Sequence, residues 1–366
     1  MNRLVIIGNG FDLAHGLKTS YQDFFGWYWD DLVVKNLMSS TNTIVDLLCK
    51  VSINKDCGFN SWCSIFSSNW MLNRPHGKEW YNVLHDENVF SIEESVLLKR
   101  ISNSIENKGW VDIENEYYSL LKGLLRKNAQ TNNPGYTIEE LNEQMSYLQL
   151  KLVEYLKKND KAHGNGALFS YIKAPFDPND FSNEGKGRAL VDIYNRKVEE
   201  HEKYIPEKIM LLSFNYTSTV HLYDNFNCCV NFIHGDLENP NEIIFGYGDE
   251  LDEEYKDVLN EMDNHLLNKV KSVRYLETTH YRELLNFLSL GPFQVFIMGH
   301  SCGNSDRTLL NTIFEHENCI SIKPFYHKWK DETDNYLELV QNISRNFTDR
   351  KLFRDRVVNK KQCRIM

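Results

Sequence analysis

The chain has 366 residues, enough for one large domain or for a domain carrying an insertion, and its 42% hydrophobic and 25% charged residues are ordinary for a globular protein. A net charge of -10 excludes a protein that depends on nonspecific nucleic-acid binding, which needs a basic face, so nucleic acid is not an expected partner. No stretch approaches the roughly eighteen apolar residues of a membrane span, and no membrane partner is expected.

Leu4-Val5-Ile6-Ile7 predicts a strand, and four apolar residues are too few for a signal peptide. The expectation is a soluble, cytoplasmic protein. The eight cysteines agree: none lies in a C-x-x-C pair, Cys57 and Cys63 are too far apart for a zinc knuckle, and the vicinal Cys228-Cys229 falls in a predicted strand where the side chains diverge. No metal is expected. The strand empties into Gly8-Asn9-Gly10-Phe11-Asp12-Leu13-Ala14-His15-Gly16-Leu17. A glycine-rich turn at a helix start can aim bare N–H groups at a diphosphate.

Ser20 is read as the cap of a helix whose Tyr21, Phe24, Phe25, Tyr28 and Leu32 recur at helical spacing. Residues from about 40 to 160 read as helical, with capping boxes at Ser91-Ile92-Glu93-Glu94 and Thr137-Ile138-Glu139-Glu140. Ile138, Leu141, Met145, Leu148, Leu152 and Tyr155 form a narrow seam, suited to a partner helix such as the stripe Ile113, Tyr117, Leu120 and Leu124, or to a second subunit. Glycines and prolines between 157 and 188 predict a long loop.

Strands are then predicted at Ile209–Leu212, Val230–Ile233, Ile243–Phe245 and Phe293–Met298, with helices near 217–226, 252–272, 278–290 and 305–316. Alternation of this kind predicts an α/β fold: a Rossmann-like parallel sheet with helices on both faces and a large helical insertion after the first strand. The expected division is 1–38 with 206–350 as the α/β domain, 39–205 as the insertion, and 351–366 as a solvated basic tail.

The predicted strands end in polar or glycine clusters: Gly8–Asp12, Ser213-Phe214-Asn215-Tyr216-Thr217, His234-Gly235-Asp236, Gly246-Tyr247-Gly248-Asp249, and Gly299-His300-Ser301-Cys302-Gly303-Asn304-Ser305-Asp306. In open α/β sheets ligands bind beyond the carboxyl ends of the strands. Each residue also has a structural reading: glycine as turn punctuation, Asn215, Ser213, Thr217 and Ser305 as helix caps, His234 as a hydrogen-bonded core histidine, Asp12 as a dipole partner. Together they read as a site.

The opening Gly8–Leu17 block with Thr19-Ser20-Tyr21-Asp23-Phe24 resembles that of the bacteriophage abortive-infection AbiH family. Trp110-Val111-Asp112-Ile113-Glu114, Phe214–Thr217, Ile233-His234-Gly235, Phe245–Asp249 and Gly299-His300-Ser301 with Asp306 resemble its later blocks in order. The resemblance implies antiphage defence, and with it an activating trigger, phage-derived or through homo-oligomerisation. It assigns no role to Trp110, Asp112 or Glu114. A more distant resemblance is to sirtuin-like NAD-consuming domains. It implies NAD as the substrate and a nucleotide small molecule as the partner. His234 would be the catalytic base and Asn215 would orient the ribose or a water. Gly8, Asn9, Gly10, Phe11, Asp12, Gly16, Ser213, Gly299 and Ser301 would contact the dinucleotide. The chain departs at Thr217, where that pattern has an Asp, and lacks the zinc module.

The sequence reading is therefore an antiphage NAD glycohydrolase. Two alternatives stay open: a non-enzymatic nucleotide-binding sensor, and a serine hydrolase using Ser301 in the G-x-S-x-G elbow after Val295–Met298. The elbow would need an Asp and then a His, and the Asp331 and Asp334 candidates follow His316 and His327. A dehydrogenase is disfavoured because G-x-G-x-x-G is absent.

Overall fold

The computed structural model describes residues 1–366 apart from 40–42, 55–77, 109–111, 129–134, 163–165, 183–204 and 225–227. Its strands are β1 (Asn2–Ile7), β2 (Thr43–Val45), β3 (Cys49–Ile53), β4 (Phe90–Glu94), β5 (Ile209–Ser213), β6 (Cys228–Phe232), β7 (Phe293–Met298), β8 (Cys319–Tyr326) and β9 (Arg364–Ile365). Two units partition the chain: Met1–Leu17, Asn159–Tyr255 and Lys269–Met366 form one, Lys18–Lys158 and Lys256–Asn268 the other.

The first unit is α/β. Its six strands are all parallel, in the order β6-β5-β1-β7-β8-β9. Counted within this sheet, the order is 3-2-1-4-5-6, so the chain reverses its direction of travel between β1 and β7. That reversal is the topological switch point at which doubly wound sheets open a crevice beyond their strand ends. β1 is buried on both faces, and its side chains alternate between two cores. Leu4 and Ile6 join Val295, Ile297 and the helices His280–Ser289, Arg307–Phe314 and Tyr336–Arg345. Val5 and Ile7 join Phe11, Val220, Tyr223 and the helix Gly166–Ile172.

Three expectations need correction here. Ile243–Phe245 is buried but forms no strand: its Ile244 N–H donates to the His234 carbonyl, and a β-carbon on Gly246 would stand 1.9 Å from the Lys269 carbonyl oxygen. β8, carrying Lys323 and Pro324, was not anticipated. The tail's basic residues Lys351, Arg354, Lys360, Lys361 and Arg364 are exposed, but the segment is not a free end: β9 extends the sheet, and the buried Arg356 donates to the Phe314 carbonyl at 2.5 Å and the His316 carbonyl at 2.9 Å.

The second unit is not wholly helical, since β2, β3 and β4 form an antiparallel sheet. Ser91–Glu94 belongs to β4, and Ser95 caps the next helix by accepting from Leu98 N–H. The second box holds: Thr137 Oγ1 accepts from Glu140 N–H, while Glu140 accepts from Thr137 N–H. Ser20 likewise caps its helix. In the helix Ile138–Asn159, Leu141, Met145, Leu148, Leu152 and Tyr155 are buried, and neighbouring Asn142 accepts from the Tyr117 hydroxyl at 2.6 Å. No helix among the described residues is long and apolar enough to cross a membrane.

Candidate functional site

The loops after β1, β5, β6 and β7 meet at the carboxyl edge of the sheet. The β1 and β7 loops lie backbone on backbone. Gly8 N–H donates to the Met298 carbonyl at 3.1 Å, Gly10 N–H to the Gly299 carbonyl at 2.8 Å, and Phe11 N–H to the Gly8 carbonyl at 2.8 Å. A β-carbon on Gly8 would stand 2.5 Å from His300 Cα. The glycines therefore serve a close approach of two loops. The backbone N–H groups expected at a pyrophosphate are each donated inside the protein. Phe11 is likewise core, packed against the rings of His15 and Tyr223. Asn9 and Gly16 are exposed, and Gly16 takes φ +80° after the short helix Asn9–Ala14.

β5 delivers the next group. Phe214 N–H donates to the Ile7 carbonyl, which fixes the two strand ends together. Ser213 Oγ accepts from Asn215 N–H at 3.2 Å and donates to the Asn215 carbonyl at 3.0 Å, so its role is to shape this turn. The Asn215 side chain donates to the Gly8 carbonyl at 3.0 Å. Thr217 Oγ1 donates to Asp12 Oδ2 at 2.6 Å. A carboxylate from the first loop thus meets the residue two after Asn215.

His234 follows β6 and is only 4% exposed. Its Nε2 lies 3.1 Å from the Tyr275 hydroxyl and 3.4 Å from Asp306 Oδ1. The Phe214 ring stands edge-on to His234 and to His300, with centroids 5.1 and 4.2 Å apart respectively. Asp306 is the hub: Lys271 Nζ donates to Oδ1 at 2.7 Å, and His300 Nε2 lies 3.4 Å from Oδ2. His300 Nδ1 accepts from Cys302 N–H, which puts the proton of the neutral ring on Nε2, facing Asp306. Lys271, 1% exposed, is brought there by a pair of backbone hydrogen bonds, Tyr247 N–H to Lys269 and Lys271 N–H to Tyr247. This explains the Gly246-Tyr247-Gly248 run: the segment must lie flat on Lys269–Lys271.

The electrostatics separate the groups. Burial would raise the Asp306 carboxyl, but Lys271, the His300 hydrogen bond and His234 outweigh it and hold Asp306 well below the usual carboxylate range. Burial, then Lys271, lower His234 to about 3, against the pull of Asp306. His234 is therefore neutral at pH 7 and a weak base. Burial pushes Asp12 the other way, up to about 6, against the Thr217 hydrogen bond and the nearby Thr219 hydroxyl and Asn215 amide, and Asp160 adds to the rise.

Sequence reasoning placed His234, Asn215, Gly8, Gly10, Asp12 and Gly299 in one region, and the fold brings them together. It missed Lys271, at the end of the helix expected near 252–272, and Tyr275, just beyond it, because no motif marks either. Ser301 is exposed, and its carbonyl accepts from Asn342. No histidine among the described residues hydrogen-bonds it, and the positive φ falls on Cys302, at 55°, rather than on the serine. A nucleophile elbow strains the nucleophile itself. Asp112 caps the helix Ile113–Asn128 through Asn115 N–H; Trp110 lies outside the described residues. Among the described residues no three His, Cys, Asp or Glu side chains group as a metal site.

The profile of a protein family described as bacteriophage abortive infection AbiH matches residues 4–327. No curated protein matches the chain.

Proposed function

This chain belongs to the bacteriophage abortive infection AbiH family, whose role is defence against phage, and from that premise we propose that it acts by cleaving the nicotinamide–ribose bond of NAD. The observation that carries the reading is convergence at the switch point: Asn215 bonded to the Gly8 turn, with Phe214 packed against both His234 and His300. A crevice there is where a doubly wound sheet takes a nucleotide.

The bond to be broken has a good leaving group and an oxocarbenium-like transition state. Its demands on the protein are to hold the substrate, exclude bulk water and position one nucleophile. Asn215 would fix the nicotinamide ribose or the water. His234, kept neutral, would line the site without placing a cation beside the pyridinium ring. Asp306 and Tyr275 hold its orientation.

The test is a panel of nucleotides incubated with protein purified from phage-challenged cells and read by mass spectrometry, with His234→Ala alongside and its fold checked by circular dichroism. Nicotinamide and ADP-ribose should form from NAD and be lost in the variant. NAD left untouched overturns the reading. Tight nucleotide binding without turnover would make the protein a sensor.

A further inference from the structure

We propose that Asp12 is the proton acceptor for the attacking water, with Thr217 fixing its carboxylate; the assignment rests on reading the site as one that hydrolyses a ribosyl bond.

Four aspartates of the α/β unit are buried among the described residues: Asp12, Asp180, Asp249 and Asp306. Three of them face a cation. Lys323 lies 2.8 Å from Asp180, Arg307 3.4 Å from Asp249, and Lys271 2.7 Å from Asp306. Asp12, 1% exposed, has no cation among the described residues. What faces it is the Thr217 and Thr219 hydroxyls, the Asn215 amide and the carboxylate of Asp160, which itself accepts from Ser218 N–H. Only Oδ2 is bonded. Oδ1 is buried and has no hydrogen-bond partner.

A buried carboxylate oxygen without a donor is costly to keep. Thr217 needs only an oxygen acceptor, which an amide would supply equally well. Asp12 stands in the first turn of the short helix Asn9–Ala14, whose dipole favours an acid there but does not call for one buried with an unpaired oxygen beside the loop carrying Asn215. Its chemistry suits a base: burial has brought the carboxyl to about 6, near working pH, where His234 at about 3 would be largely ineffective. In the step itself Asp12 Oδ1 takes a proton from water as the water oxygen bonds to ribose C1′. The C1′–N bond breaks and its electron pair returns to the pyridinium nitrogen. Nicotinamide leaves neutral, and the proton on Asp12 passes to solvent.

The test measures kcat and KM for NAD from pH 5 to 9 in the full chain, for wild type and Asp12→Asn, with Asp12→Ala assayed with and without formate. Asp12→Asn should stay folded, lose about 10²–10⁴-fold in kcat with little change in KM, and lose the acid limb near pH 6. Formate should restore part of the Asp12→Ala rate. A change in KM alone, an unaltered acid limb in Asp12→Asn, or no rescue by formate overturns the assignment of Asp12. Wild-type protein that cleaves no ribosyl bond in the nucleotide panel overturns the hydrolytic reading itself, and the assignment with it.

Discussion

Gly10 and Gly299 share one contact across the sheet edge: Gly10 N–H donates to the Gly299 carbonyl at 2.8 Å, and a β-carbon on Gly10 would stand 2.8 Å from Gly299 Cα. A β-carbon on Gly299 would stand 2.1 Å from Phe11 N, at φ +76°. Backbone cannot yield as a flexible side chain does. Gly299→Ala should therefore cost roughly 3 kcal/mol or more in urea unfolding, and Gly10→Ala about 2 kcal/mol. Gly16→Ala is the control. Its φ is +80° but nothing lies within 4 Å, so it should lose only about 1–2 kcal/mol.

The Lys271–Asp306 pair makes a second prediction. Lys271→Met leaves Asp306 buried without its cation and should cost about 3–5 kcal/mol. Lys271→Met with Asp306→Leu should cost much less than the two single changes summed, because no lone charge remains. Additive costs in a double-mutant cycle would show that the pair does not act as a unit.

Acid and alkaline stability should pull in opposite directions. His234 binds its proton near pH 6.5 when unfolded but only near 3 when folded. Its contribution is complete above about 6.5 and is lost as pH falls toward 3. Asp306, depressed as well, adds to the acid-side loss below its unfolded value of about 4. Asp12 has the other sign. Its folded pKa is raised from 3.8 to about 6, so its contribution is complete below 3.8 and is lost as pH rises through 6. Asp12→Asn should therefore be more stable than wild type at pH 8, by up to about 3 kcal/mol, and indistinguishable at pH 4. Urea midpoints at the two pH values decide it.

Ser301 should not react as an activated nucleophile. No histidine among the described residues hydrogen-bonds its hydroxyl, so a fluorophosphonate probe should leave it unlabelled. Stoichiometric labelling would restore the serine-hydrolase alternative.

The strands of the sheet were legible where burial on both faces writes a continuous apolar run. Phe293–Met298 was read to the residue, and Leu4–Ile7 and Ile209–Leu212 nearly so. β8 was not, because Cys319–Tyr326 contains Lys323 and Pro324, which look like breaks. Lys323 is buried against Asp180, 143 residues away, a partner that local pattern cannot supply. The converse error was Ile243–Phe245, an apolar run buried in a loop by the close packing of Gly246 on Lys269. At the site, motif residues announced themselves because glycines and histidines cluster after strands. Lys271 gave no such signal. Its importance lies in the backbone pairing with Tyr247, and only the fold shows that.

Because β1 sits between β5 and β7, the cluster cannot be assembled from either half of the polypeptide. Asp306, the counter-ion of Lys271, is synthesised nearly three hundred residues after the first glycine turn. Until then the first loop has no Gly299 to rest on and His234 has no acid beside it. A product that stops short of β7 therefore lacks the contacts that hold this sheet edge together. In a chain of a phage-defence family, the strand order thus makes completion of this edge wait for β7 and the loop that follows it.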